Sequence, residues 1–296
     1  MEFPRWATYS YRGAMESWIP GEDLWTVDLF VTLNLLILAV LYAAGVRIIT
    51  RRGLTWSPWR SVSFAIGIAL LALAYTGPFE TLAHTYFAAH MGQHLIVMML
   101  AAPFIVLSYP VALIVLATSG ATRAAIIRSL RSRIGLFLVN PVFTWLFFVI
   151  VLIGSHVTPV MEWVLTDHDA MAYVERPLYL ISALLFYYPL IGNDMCARRP
   201  KPAYRLLSLG LMMIPETALG AVIFLAPVTL YPAYVASTTA VGADPLVDQQ
   251  LAGALMWALT MVIDSIWMMV AAVEWWRAEE RKTAIMERRE AREAVP

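Results

Sequence analysis

Residues 84 to 100 read HTYFAAHMGQHLIVMML and hold three of the five histidines in a chain of 296 residues. His90 and His94 are four apart, so in a helix they share one face. That spacing offers two imidazole ligands to one metal ion. In zinc proteases the same pair works hydrolytically only with a glutamate directly after the first histidine. Met91 stands there instead. The hydrolytic reading fails, and a non-enzymatic role is expected. Met98 continues the His90–His94 stripe. His84 does not, because six residues turn a helix by about 240°. It joins the pair only if the helix entrance is bent or the site is broad.

The remaining side chains of this kind narrow the choice of metal. His156 and His168 complete the histidines, and the chain carries 15 methionines, among them Met98 and Met256. Imidazole and thioether together suit Cu(I), whereas carboxylate-rich sites suit harder ions. The plainer readings stand beside this one: methionine fills gaps in apolar cores, and a membrane histidine can simply hydrogen-bond a neighbouring helix. In DPLVDQQLAGALMW, Gln249, Gly253 and Met256 fall on one stripe, and Gly253 would let another helix approach closely. Asp248 either caps its own helix start or supplies a carboxylate at the mouth of a metal site. Glu216 and Asp264 fall in the middle of apolar runs, where each needs a partner or a proton. They join helices to each other, or line a polar path.

The elements that must position these residues follow from composition. The chain is 60% hydrophobic and 14% charged. A soluble domain is about 45–50% apolar and about 25% charged, so too little polar surface remains to cover a water-soluble globule. Continuous apolar runs of about 20 residues predict an all-α polytopic membrane protein, with every backbone group paired inside a helix. Seven spans are expected, over 26–48, 58–77, 82–108, 136–157, 172–193, 204–230 and 249–276. The apolar stretch 110–120 is too short to cross and extends the third span beyond a kink at Pro110, or lies at the interface. Of the 21 lysines and arginines, 18 fall in the first, third and fifth turns and the tail. Basic residues concentrate on the cytoplasmic side, which places the N-terminus outside and the C-terminus in the cytoplasm and requires an odd number of spans. All five histidines then lie on the outer half, with His90 and His94 about 9 and 15 Å below His84.

Three regions result: an extracytoplasmic N-terminal segment (1–25), the transmembrane domain (26–276) and a charged, helical cytoplasmic tail (277–296). The first 25 residues lack the basic start, apolar stretch and small-residue cleavage site of a signal peptide, so they are expected to be retained. A single cysteine, Cys196, excludes an internal disulfide and any CxxC motif. The arginine-rich loops are explained by topology and lipid attraction, with no need for nucleic acid.

The runs HMGQHLIVMMLAAPFIVLSYP, HVTP, PLYLISALLFYYPLIG and DQQLAGALMW occur in an order that resembles the CtaG family of bacterial cytochrome c oxidase assembly factors, over residues 25 to 276. The resemblance implies a multi-pass plasma-membrane protein that handles copper on its way to a haem–copper oxidase subunit. It marks His90, His94 and Asp248 as matching positions, and His156 with them. In YVERPLYL, Glu175 and Arg176 stand where the resemblance implies a histidine, and His168 is the candidate replacement. The leading reading is therefore an outward-facing His/Met copper site that passes its ion to an oxidase subunit. The alternatives are a metal transporter with Glu216 and Asp264 as an inward path, an electron-transfer protein holding non-covalent haem, and a scaffold that binds no metal. A homo-oligomer stays open.

Overall fold

A computed structural model describes residues 28–192, 194–196 and 199–293, with the side chains of His168 and of 288–293 outside that description. The N-terminal segment 1–25 lies outside the described residues. Among those described, every regular element is helical. The chain order is α1 (Leu29–Arg51), α2 (Pro58–Tyr75), α3 (Pro78–Thr85), α4 (Phe87–Leu95), a π-helical segment (Ile96–Ala101), α5 (Ala102–Leu107), α6 (Pro110–Ala117), α7 (Gly120–Leu130) and α8 (Arg133–Leu138). There follow α9 (Pro141–Ser155), α10 (Thr158–Thr166), α11 (His168–Ala170), a second π-helical segment (Met171–Glu175), α12 (Arg176–Tyr187), α13 (Pro202–Leu225), α14 (Pro232–Ala240) and α15 (Pro245–Glu293).

Proline sets many of these starts. Pro58, Pro78, Pro110, Pro141, Pro202, Pro232 and Pro245 each occupy the first position of a helix, where the missing N–H is one that has no helical partner anyway. Side-chain caps add to this. Asp28 accepts from the amides of Phe30 and Val31 at 2.8 and 3.1 Å at the head of α1, and Asn140 accepts from Val142 at 2.9 Å at the head of α9.

Five helices are long and apolar enough to cross a membrane, and six if the pair α9 and α10, bent by 74°, counts as one span. The surface matches that reading. Leu36, Ile37, Val40 and Leu41 of α1, Ile150 of α9, Val222 of α13 and Val262 of α15 are all exposed, while Glu80, His90, Gln93, Glu175, Arg176, Glu216 and Asp264 are buried. Apolar outside and polar inside is the inverse of a water-soluble protein, and hydrocarbon as the surrounding solvent explains it.

The core gathers Phe87, Met91, Met98, Phe148, Tyr179, Phe186, Met212, Met256 and Trp267 from α4, its π segment, α9, α12, α13 and α15. Its tightest contact is the crossing of α13 and α15. A Cβ on Gly253 would lie 2.5 Å from the Phe224 nitrogen, and one on Gly220 would lie 2.9 Å from the Trp257 nitrogen. Only glycine permits that approach, as the sequence reading of Gly253 expected.

The expected spans differ from the observed helices in instructive places. The third was expected unbroken over 82–108. Tyr86 is extended (φ −118°, ψ 130°) and separates α3 from α4, so His84 sits on a different helix from His90 and His94. Tyr109 is left-handed (φ 58°) and ends α5 before Pro110 starts α6. The run at 136–157 starts later and stops at Ser155, and the HVTP sequence forms the bend into α10. The fifth begins four residues earlier than expected and runs unbroken from His168 to Tyr187, with its π segment inside it. The seventh continues as one helix to Glu293.

Candidate metal centre

His90 and His94 project from α4 toward Glu175, the last residue of the second π segment. His90 and Glu175 are 1% and 3% exposed. The Nε2 atoms of His90 and His94 each lie 3.4 Å from the same Glu175 oxygen. One ligand atom from each of the three falls within 4.8 Å of the others, the one such group among the described residues. Both nitrogens of His90, Nε2 of His94 and Oε1 of Glu175 have no hydrogen-bond partner. Buried polar atoms in a folded protein are almost always paired, and an unpaired carboxylate is the costliest of all to leave so. With bonds of about 2.0–2.1 Å to nitrogen and oxygen, a separation of 3.4 Å subtends about 110° at a shared ion, close to a tetrahedral angle. The donor atoms therefore fit a small metal ion.

Neighbouring side chains hold this geometry. The His94 ring stacks on Tyr179 with centroids 4.1 Å apart and meets the His90 ring edge-on at 4.3 Å. Glu80, which pairs with the residue next to Glu175, is otherwise engaged: it is in a short ion pair with Arg176, accepts from Gln93 at 2.7 Å and lies 3.1 Å from His84. Arg176 also approaches Asp28 at 3.5 Å. Glu80 thus takes up the local cation, and Glu175 is left facing the two imidazoles. Both π-helical segments adjoin the site, the first beginning two residues past His94 and the second carrying Glu175. An extra residue per turn re-aims side chains, and such segments recur at functional sites.

The other predicted residues fall in separate places. His84 is half-exposed and paired with Glu80, outside the cluster. His156 ends α9, its ring 6.2 Å from that of His94. His168 opens α11, and its side chain is outside the described residues. Met98 and Met256 line a narrow cavity together with Met91, His94, His156 and Glu216. Asp248 was expected either to cap its own helix or to supply a carboxylate at the mouth of a metal site. Asp244 caps that helix, accepting from Leu246 at 2.9 Å, because α15 begins at Pro245. Asp248 instead accepts from Phe87 and Ala88 at 2.7 and 3.3 Å, so it caps α4, the helix that carries the histidine pair. Gln249 clamps the segment after α13, accepting from Leu230 at 2.6 Å and donating to Val228 at 3.1 Å. Glu216 and Asp264 are both buried, with Glu216 Oε2 and Asp264 Oδ2 left without a hydrogen-bond partner.

One residue of the cluster and one of the adjoining cavity, Glu175 and Met91, were passed over in the sequence. Glu175 stood out only as a departure from an expected histidine, although a carboxylate inside an apolar run is by itself a site candidate. Met91 was noted only as the residue that disables a protease motif.

A family model described as cytochrome c oxidase caa3 assembly factor (Caa3_CtaG) matches residues 40–278. An uncharacterized protein of Mycobacterium tuberculosis is 27% identical over 276 residues, covering 90% of this chain and 42% of that protein. An uncharacterized protein of Mycobacterium bovis matches with the same figures, and one of Mycobacterium leprae is 25% identical over 281 residues. The chain spans 42% of the length of these curated relatives. No solved structure matches.

Proposed function

The chain belongs to the family of cytochrome c oxidase caa3 assembly factors, and from that premise we propose that it holds copper as cargo on His90, His94 and Glu175 and yields it to an oxidase subunit. The observation that carries this reading is the convergence of three buried ligand residues whose facing atoms have no other partner. A monovalent ion balances the single carboxylate charge, so the loaded site is neutral and suited to a low-dielectric surrounding. Two imidazoles and one carboxylate can be surrendered one at a time, so release to a partner proceeds by ligand exchange and needs no chemistry on the copper.

Placement in the bacterial plasma membrane completes the proposal. We count seven crossings by adding the bent pair α9–α10 and the unbroken helix 168–187 to the five helices long and apolar enough to span. Basic residues in the alternate turns and in the tail 277–296 then put the N-terminal segment 1–25 outside, the tail in the cytoplasm, and the histidines near the outer face. Lipid surrounds the helices of 26–276.

X-ray absorption on detergent-purified protein loaded with Cu(I) tests the ligand set. Wild type is expected to show bound copper with nitrogen and oxygen neighbours, and the His90→Ala/His94→Ala variant to lose that ion. Oxidase activity in cells whose own copy is replaced by the double variant is expected to fall with it. Equal nitrogen and oxygen bound to copper in both proteins would remove the proposed ligands. Copper accumulating inside proteoliposomes would assign a transporter instead.

A further inference from the structure

His156 and Met91 meet in a way the reading above does not use. The His156 Nδ1 lies 2.7 Å from the Leu152 carbonyl oxygen. A carbonyl only accepts, so Nδ1 carries the ring proton and donates it. In a neutral imidazole the other nitrogen then bears only a lone pair. That nitrogen, Nε2, faces the Met91 sulfur at 3.3 Å. A thioether has no proton to give. Two acceptors thus confront each other in a buried position, His156 being 6% and Met91 2% exposed. A cation between them turns that confrontation into attraction. With bonds of about 2.0 Å to nitrogen and about 2.3 Å to sulfur, a 3.3 Å separation subtends about 100°, within the range of a four-coordinate ion. Both groups face the narrow cavity that Met98 and Met256 also line, so further thioethers are at hand. His94 borders this cavity and is also one of the three residues of the His90–His94–Glu175 cluster.

We propose that His156 and Met91 form a second metal site, selective for a soft monovalent cation such as Cu(I), which receives the ion from the His90–His94–Glu175 cluster with His94 common to both. The second site deepens the copper-handling reading and takes its source of ion from it. Its ligands differ in kind. The first site has a carboxylate and binds harder ions too; the second pairs imidazole nitrogen with thioether sulfur, which favours Cu(I) over hard ions such as magnesium. Passage from the first to the second therefore sorts the cargo. No change in oxidation state is involved, since the ion enters and leaves as Cu(I).

Copper K-edge absorption on Cu(I)-loaded protein, under anaerobic reducing conditions, tests this with three chains. Wild type is expected to show a sulfur shell beside nitrogen and oxygen. Met91→Leu, which conserves volume, is expected to lose at least half of the sulfur amplitude while keeping nitrogen and oxygen neighbours. Glu175→Gln is expected to keep the sulfur shell and to load at least tenfold less readily from dilute Cu(I). A selenium-edge measurement on selenomethionine protein needs no substitution to report the contact: copper is expected as a neighbour of selenium, and that signal should drop in Met91→Leu. A wild-type spectrum without sulfur, or a Met91→Leu spectrum identical to it, overturns the second site. A sulfur shell that depends on Met91 together with loading indifferent to Glu175, His90 and His94 leaves the second site standing and removes the first.

Discussion

The two ends of this bundle both bury charge, and they treat it oppositely. At the arginine end, Arg205 is buried, donates to the Leu190 carbonyl through Nε and pairs with Glu274 at 2.6 Å, and Arg199 joins the same carboxylate at 3.4 Å. Asp194 accepts from the amides of Met195, Val111 and Ala112 at 2.7, 3.1 and 2.8 Å. Neither Arg205 nor Asp194 leaves a buried nitrogen or oxygen without a partner. At the histidine end, His90, His94 and Glu175 are as deeply placed yet keep four facing atoms unpartnered. Where every atom is satisfied, burial of charge serves the fold. Where ligand-type atoms converge and stay unsatisfied, the fold carries a cost that the bound ion we propose would remove. The difference separates structural polarity from functional polarity without reference to either end's sequence.

Breaking the arginine end should cost the most. Arg205→Met removes the nearer of the two cations that Glu274 pairs with, at about 3 kcal/mol, the low end of the range for such a loss because Glu274 keeps Arg199 and some contact with solvent. Thermal unfolding in detergent should show a clear fall in midpoint, with copper content per folded molecule unchanged. A parallel loss of copper would mean the two ends are not separable.

Glu175→Gln probes the other end with the reverse signature. Copper affinity should fall by about 10- to 100-fold, whereas the melting midpoint of the copper-free protein should hold or rise, because a buried ionised group without a partner has been replaced by a neutral one. Competition with a chelator of known affinity reads the first effect and the melt reads the second. A destabilised copper-free variant would place Glu175 with the structural charges.

The smallest effects come from two helix caps that differ only in which helix they serve. Asp194→Ala and Asp248→Ala each remove a carboxylate cap worth about 1 kcal/mol. Asp248 caps α4, so its loss should also loosen the histidine pair and weaken copper binding severalfold. Asp194 caps α6, at the far end of the same continuous stretch, and its loss should leave copper binding untouched. Equal copper affinity in the two variants would show that the cap does not reach the site.

Much of this was legible beforehand and some of it was not. The His90–His94 pair was visible because i, i+4 spacing is a local property that any helix converts into a shared face. Glu175 was hidden because a residue's role as a ligand depends on which helix packs opposite, and because a π-helical turn shifts the phase from which its facing direction would be read. His84 looked like part of the same element until the extended Tyr86 divided it from α4.

From composition and periodicity alone came the inverted solvent preference, the helical class and the segregation of basic residues from histidines. These depend on each residue's own transfer energy and on contacts within a few positions along the chain. Only tertiary structure decided that Asp248 caps a helix 161 residues away and that His156 meets a sulfur 65 residues away. It also decided that Glu175 fills the gap between two imidazoles. Those pairings are set by how helices pack, a many-body choice that no single stretch of sequence contains.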